Sequence, residues 1–169
     1  PGLIINAPVT VAAATGLGSG NGNITIDGAT ASLTMNGQTL VTPGSLVVQN
    51  GGRLIMTNPF DVLTISSHAT FDGASELGSL TDGVLSVFGN FTQLASTSGE
   101  SYHPTAGHTT VLGSATLALS FATPGSGAGT SGFQDLAISP GNTLSLALGS
   151  DVVVRGALTI SSPATTVSS

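Results

Sequence analysis

Glu100, His103 and His108 are the closest grouping of side chains that could do chemistry in this 169-residue chain. A carboxylate and two imidazoles in and beside the polar stretch 94–107 (LASTSGESYHPTAG) could hold a divalent ion. Their spacing fits no established zinc pattern, and His108 stands where a strand should start. Neither metal nor cofactor is therefore expected, and the three residues are kept as a loop site with a glycan as its ligand. Asp72, Glu76 and Asp82 lie within eleven residues and could form the carboxylate pair that glycoside cleavage requires. Cleavage beside a uronate also needs cations, and Arg53 and Arg155 are the only basic residues apart from histidine. Solvated turn residues are the better reading of the three acids. Asp27, Asp61, Asp135 and Asp151 sit at strand edges, where an Asp side chain satisfies turn amides. The glycine run 16–22 (GLGSGNG) is read as a turn, because no helix follows it to present amides to a phosphate. No Gly-x-Ser-x-Gly elbow, Walker loop or His-Glu-x-x-His occurs. The chain is not expected to be an enzyme.

Composition narrows the partners. Charged residues make up 6% of the chain against about 25% in an ordinary soluble domain. The net charge is −6 and there is no Lys, so nucleic acid is excluded as a partner because phosphates need several cations. Cys is absent, which rules out disulfides and thiolate metal sites. No apolar run approaches the ~18 residues of a membrane-spanning helix, so membrane insertion as helices is not expected. The sequence opens at Pro1 with neither an initiator Met nor a signal segment, as expected of a processed form or an excised segment.

Any such residues must be positioned by short strands. Alternating runs at 23–27 (NITID), 45–49 (SLVVQ), 62–66 (VLTIS), 84–88 (VLSVF), 135–139 (DLAIS) and 157–161 (ALTIS) are punctuated by Gly, Asn, Asp and Ser. A pattern of Leu, any residue, Val or Ile, and a large apolar residue eight after the Leu recurs at Leu46, Val48, Leu54; at Leu63, Ile65, Phe71; and at Leu136, Ile138, Leu144. Leu3, Ile5 and Val11 repeat it. The octets 63–70 (LTISSHAT) and 158–165 (LTISSPAT) share seven of eight residues. Leu63 to Leu85 and Leu136 to Leu158 are both steps of 22, whereas Leu46 to Leu63 is 17.

Such spacing is what one coil of a β-helix needs. Leu and Val or Ile two apart share a strand face, and that face would be the interior. Stacking coils at about 4.8 Å would then pile these residues into apolar ladders. The expected fold is an all-β, right-handed parallel β-solenoid forming one domain over 1–169, with the hand taken from the general rule for crossovers. The alternative is an antiparallel β-sandwich, disfavoured because the chain repeats a motif in register, lacks Trp and is only 4% aromatic. The stretches 94–107 and 122–132 (ATPGSGAGTSG) read as excursions from the coil, the second as a flexible loop.

The segment 133–160 (FQDLAISPGNTLSLALGSDVVVRGALTI), with 83–92 (GVLSVFGNFT) and 107–112 (GHTTVL), resembles repeat units of bacterial secreted and autotransporter-like surface proteins. The resemblance implies a parallel β-helix displayed outside the cell or on its surface, in adhesins, stalks or filaments, and it carries over no catalytic residues. Apolar strands reach both tips without a capping helix, with Leu3, Ile4 and Ile5 at one and Leu158, Ile160 and Val167 at the other. Head-to-tail self-association into a structural extracellular rod is the expected function. A glycan-binding or polysaccharide-cleaving β-helix using 94–107 is the alternative.

Overall fold

The computed structural model describes residues 2–17, 22–139, 144–161 and 165–168, with only the backbone for 144–146 and 165–168. One face is an eight-stranded sheet of β1 (Leu3–Ile5), β4 (Ile24–Asp27), β7 (Leu46–Gln49), β10 (Ala69–Asp72), β12 (Phe91–Gln93), β14 (Thr116–Phe121), β16 (Leu144–Leu148) and β18 (Thr165–Ser168). A second face has seven: β3 (Thr15–Gly16), β6 (Thr39–Thr42), β9 (Val62–Ile65), β11 (Val84–Val87), β13 (Thr109–Leu112), β15 (Asp135–Ile138) and β17 (Leu158–Ile160). A third has three, β2 (Pro8–Thr10), β5 (Ser32–Thr34) and β8 (Arg53–Ile55).

Strand ladders among the described residues are parallel, each strand pairing with its counterpart one coil away. The fold is a parallel β-solenoid, and the antiparallel sandwich is excluded. Leu63 pairs with Leu85 and Leu136 with Leu158, so the 22-residue steps are true coil steps. The 17-residue step is not one: Leu46 lies on the first face opposite Ile24 and Ala69, while Leu63 lies on the second. Both faces alternate apolar and polar residues, so one motif fits either. The two LTISS copies do share a face, in β9 and β17, while residues 162–164 of the second octet lie outside the described residues.

Alternation along each strand aims every second side chain inward. On the first face one interior column runs Ile24, Leu46, Ala69, Phe91, Leu119, and the next runs Ile26, Val48, Phe71, Gln93, Phe121. On the second face the columns are Leu40, Leu63, Leu85, Thr110, Leu136 and Thr42, Ile65, Val87, Leu112, Ile138. All these side chains are buried. Each fully buried Leu, Val or Phe contributes roughly 1.5–3 kcal/mol.

The turn Asn36-Gly37 and the turn Asn50-Gly51 turn the chain between faces with positive φ at both residues: 56° and 75°, then 53° and 86°. Asn and Gly are the residues that tolerate this conformation. Gly52 then lies so close to the previous coil that a Cβ there would stand 2.6 Å from the Ile26 carbonyl oxygen.

The stretch 94–107 turns inward at residues 101–104, whereas 122–132 does leave the coil: Gly125 and Ser131 N–H donate to the Ser131 and Thr123 carbonyls within the segment, and 126–129 is exposed. Both belong to the third side of later coils, where regular strands give way to irregular crossings that still bond coil to coil. Glu76 N–H donates to Glu100 O at 2.9 Å, Thr105 N–H to Leu80 O at 2.9 Å, and Gly132 N–H to Tyr102 O at 3.2 Å. Met56 and Leu80, and Phe133 and Val154, form isolated parallel bridges along the same side.

Candidate functional site

Two places hold the candidate residues: the crossings beside β12 and β13, and the two tips. In the first, Glu100 and the two histidines are each engaged by different partners. The Glu100 carboxylate accepts the Gly129 N–H at 2.9 Å and the Ser75 hydroxyl at 2.7 Å. These two bonds, the first above all, hold its pKa below the ordinary carboxyl range. His103 is buried, with Nδ1 2.6 Å from the Thr130 carbonyl oxygen. That acceptor places the ring hydrogen on Nδ1. Beside it, Arg155 donates from Nη1 to the Pro104 carbonyl at 2.7 Å.

His108 is fully buried, with Nδ1 2.9 Å from the Asp82 carbonyl oxygen and Nε2 3.4 Å from the Tyr102 hydroxyl. Nδ1 therefore carries hydrogen and Nε2 accepts. Burial lowers the His108 pKa below its ordinary value, so the ring is held neutral. The Tyr102 hydroxyl also lies 2.5 Å from Thr110 Oγ1, and burial pushes its pKa upward. Among the described residues no three side chains of His, Asp or Glu converge to hold a metal ion. The three residues tie neighbouring crossings together.

Sequence reasoning missed the residues at the centre of this region. Gln93 is inward-facing between Phe71 and Phe121, and its amide is saturated. Oε1 accepts from Ala122 N at 3.0 Å and Thr123 N at 3.2 Å, while Nε2 donates to Leu94 O at 2.5 Å and Ser101 Oγ at 2.9 Å. Around it, Phe71, Phe91, Phe121, Phe133 and Tyr102 pack ring to ring with centroids 4.6–5.7 Å apart. One clue was available: Tyr102 is the only Tyr, set within a polar stretch. A side chain with an apolar body and a polar tip suits a wall that must be both filled and hydrogen-bonded.

Asp72, Glu76 and Asp82 each bond to a different partner. Asp72 Oδ1 accepts the Ser96 N–H at 2.8 Å, and Asp82 Oδ1 accepts the Gly83 N–H at 3.0 Å. Glu76 departs from the solvated-turn expectation: it is fully buried, because its segment crosses the open edge of β8. Of the structural aspartates, Asp61 is buried and accepts Thr57 N at 2.9 Å and Asn58 N at 3.1 Å. Asp27 accepts from Gln49 and Asn50 one coil on, and both bonds lower its pKa, the Asn50 bond more. Asp135 accepts Ala157 N at 2.8 Å, and Asp151 is exposed. Asn23 and Asn90 are corner caps, Asn23 Oδ1 accepting Ser45 N at 2.9 Å and Asn90 Oδ1 accepting Ala118 N at 3.1 Å. Of the glycine run, residues 18–21 lie outside the described residues.

At the N-terminal tip, Leu3 and Ile4 of β1 are exposed, Ile4 to 68%, while Ile5 is buried. At the other tip Leu158 and Ile160 are exposed to 55% and 41%. They border an apolar cavity of about 220 Å³ whose walls include Leu119, Leu136, Ile138 and Val154. The side chain of Val167 lies outside the described residues; its backbone is in β18, paired with β16. β1, β3 and β17 are edge strands of their sheets. Compared with known proteins, the chain matches no family model, no curated protein and no solved structure.

Proposed function

We propose that this chain is a structural building block of an extracellular rod, a surface filament or adhesin stalk, in which further coils stack end to end. The observation that carries this reading is the pair of tips. Each presents the edge of parallel strands together with exposed apolar side chains, Leu3 and Ile4 at one, Leu158 and Ile160 at the other. A parallel edge pairs with a strand running in the same direction, and the apolar cavity at the C-terminal tip is covered when another coil is laid over it. When that coil comes from a second copy, the contact is head to tail and propagates without closing. The chain's low charge and the hydroxyl and amide side chains of its outer strand faces suit a rod wetted on its sides and sticky at its ends.

Negative-stain electron microscopy of concentrated protein tests this. Rods that lengthen with concentration are expected, and the double variant Leu158→Lys, Ile160→Lys is expected to remain as short single units. Uniform short particles of the unaltered protein at every concentration would contradict self-assembly.

A further inference from the structure

Among the described residues, Glu76 Oε2 is a fully buried side-chain oxygen with no hydrogen-bond partner. Its position explains why an acid is there. The third face stops being regular at β8, where Arg53 N–H still donates back to Ala31 O at 3.1 Å. Leu54 N–H points the other way, toward the next coil, where no strand offers a carbonyl. Glu76 Oε1 accepts it instead at 2.8 Å, and Met56 resumes backbone bonding to Ser79 O at 2.8 Å. The side chain therefore stands in for the missing strand. The charge of Arg53, exposed on β8, and the buried Tyr102 of the 94–107 crossing act on it electrostatically, while the Glu100 carboxylate is bonded to Ser75 and Gly129.

We propose that Glu76 is a proton-controlled latch: as a neutral acid it holds the 73–83 crossing over the β8 edge, and as a carboxylate it turns out to water and frees that edge. An interior carboxylate with one oxygen unpaired is costly, whereas the neutral acid is tolerated. Burial accordingly pushes the Glu76 pKa up to about 8, with the Leu54 N–H, then Arg53 and the Ser79 hydroxyl opposing. Closed, the latch keeps its proton; open, the carboxyl has an ordinary pKa near ~4.3 and gives the proton to solvent. The open fraction therefore rises with pH between those two values and is flat above the higher.

Hydrogen exchange followed by mass spectrometry from about pH 5 to 9, corrected for intrinsic rates, tests the latch. Opening of 53–56 and 73–83 is expected to grow about tenfold per pH unit up to about pH 8. The Glu76→Gln variant is expected to show no such trend, and matching profiles in the two proteins would overturn the proposal. Carbon NMR of the labelled Glu76 carboxyl in the unaltered protein gives a check independent of the variant. A titration above pH 7 supports the latch, and one between pH 4 and 5 overturns it.

Discussion

The coils before β10 and the coils after it close the same tube with different chemistry. In the first region three short strands make the three sides, and the corner side chains reach the next coil 22 residues on. Its interior is aliphatic but for Thr42, with Ile24, Ile26, Leu33, Met35, Leu46, Val48 and Leu54 buried. In the second region the third side is an irregular crossing, the corner bond from Asn90 reaches Ala118 28 residues on, and the interior holds four Phe, Tyr102, Gln93 and Thr110. When a side loses its backbone ladder, side chains must take over two tasks. Rings fill the interior, and Gln93, Ser101, Ser131 and Glu76 receive or supply the hydrogen bonds a strand would have made.

The largest expected effect is at the ring cluster. Phe91 touches Phe71, Tyr102, Phe121 and Phe133, so Phe91→Ala is expected to cost about 3–5 kcal/mol of unfolding free energy by urea titration. Leu33→Ala in the aliphatic region is expected to cost about 2–5 kcal/mol. A Phe91 loss under ~1 kcal/mol would show that the second region does not depend on its rings.

A middle-sized effect belongs to the polar half of that interior. Tyr102→Phe keeps the ring and strips the hydroxyl from Thr110 and His108, an expected loss of about 1–3 kcal/mol. His108 adds a pH dependence. Its folded pKa lies below the ordinary value of 6.5, so the unfolded chain takes up the proton first and stability falls as pH drops below 6.5. Urea midpoints measured from about pH 7 down to 5 should show this fall, diminished in a His108→Gln variant. The smallest effect is at a corner cap: Asn90→Ala removes the acceptor for Ala118 N–H and is expected to cost about 0.5–1.5 kcal/mol, read as a shift of the same midpoint.

The regular region was the more legible of the two. Leu63 with Leu85, and Ile65 with Val87, announce two columns by type and by a 22-residue interval, and they pair as that interval requires. Alternation does not say which face a strand occupies, which is why Leu46 and Leu63 looked like one column. The 94–107 crossing was misread for a different reason. Polar and Gly-rich sequence normally marks a loop in water, and the inward turn of Tyr102, Ser101 and Ser131 is settled by partners about 30 residues away. Glu76, set between Ser75 and Leu77 near a glycine, looks like any turn acid. Its burial follows from the edge of β8, which no local pattern reveals.

The central claim is that the crossings are layers of the solenoid and share its cooperativity. Residue-resolved hydrogen exchange by NMR at about pH 5, where the Glu76 latch is closed, tests it most directly. The amides of Thr105 and Gly132, bonded coil to coil across the crossings, should exchange with the same opening free energy as those of Leu46 and Leu136 in the regular ladders. Rapid exchange at Thr105 and Gly132 while Leu46 and Leu136 stay protected would contradict the claim and place both crossings outside the cooperative unit.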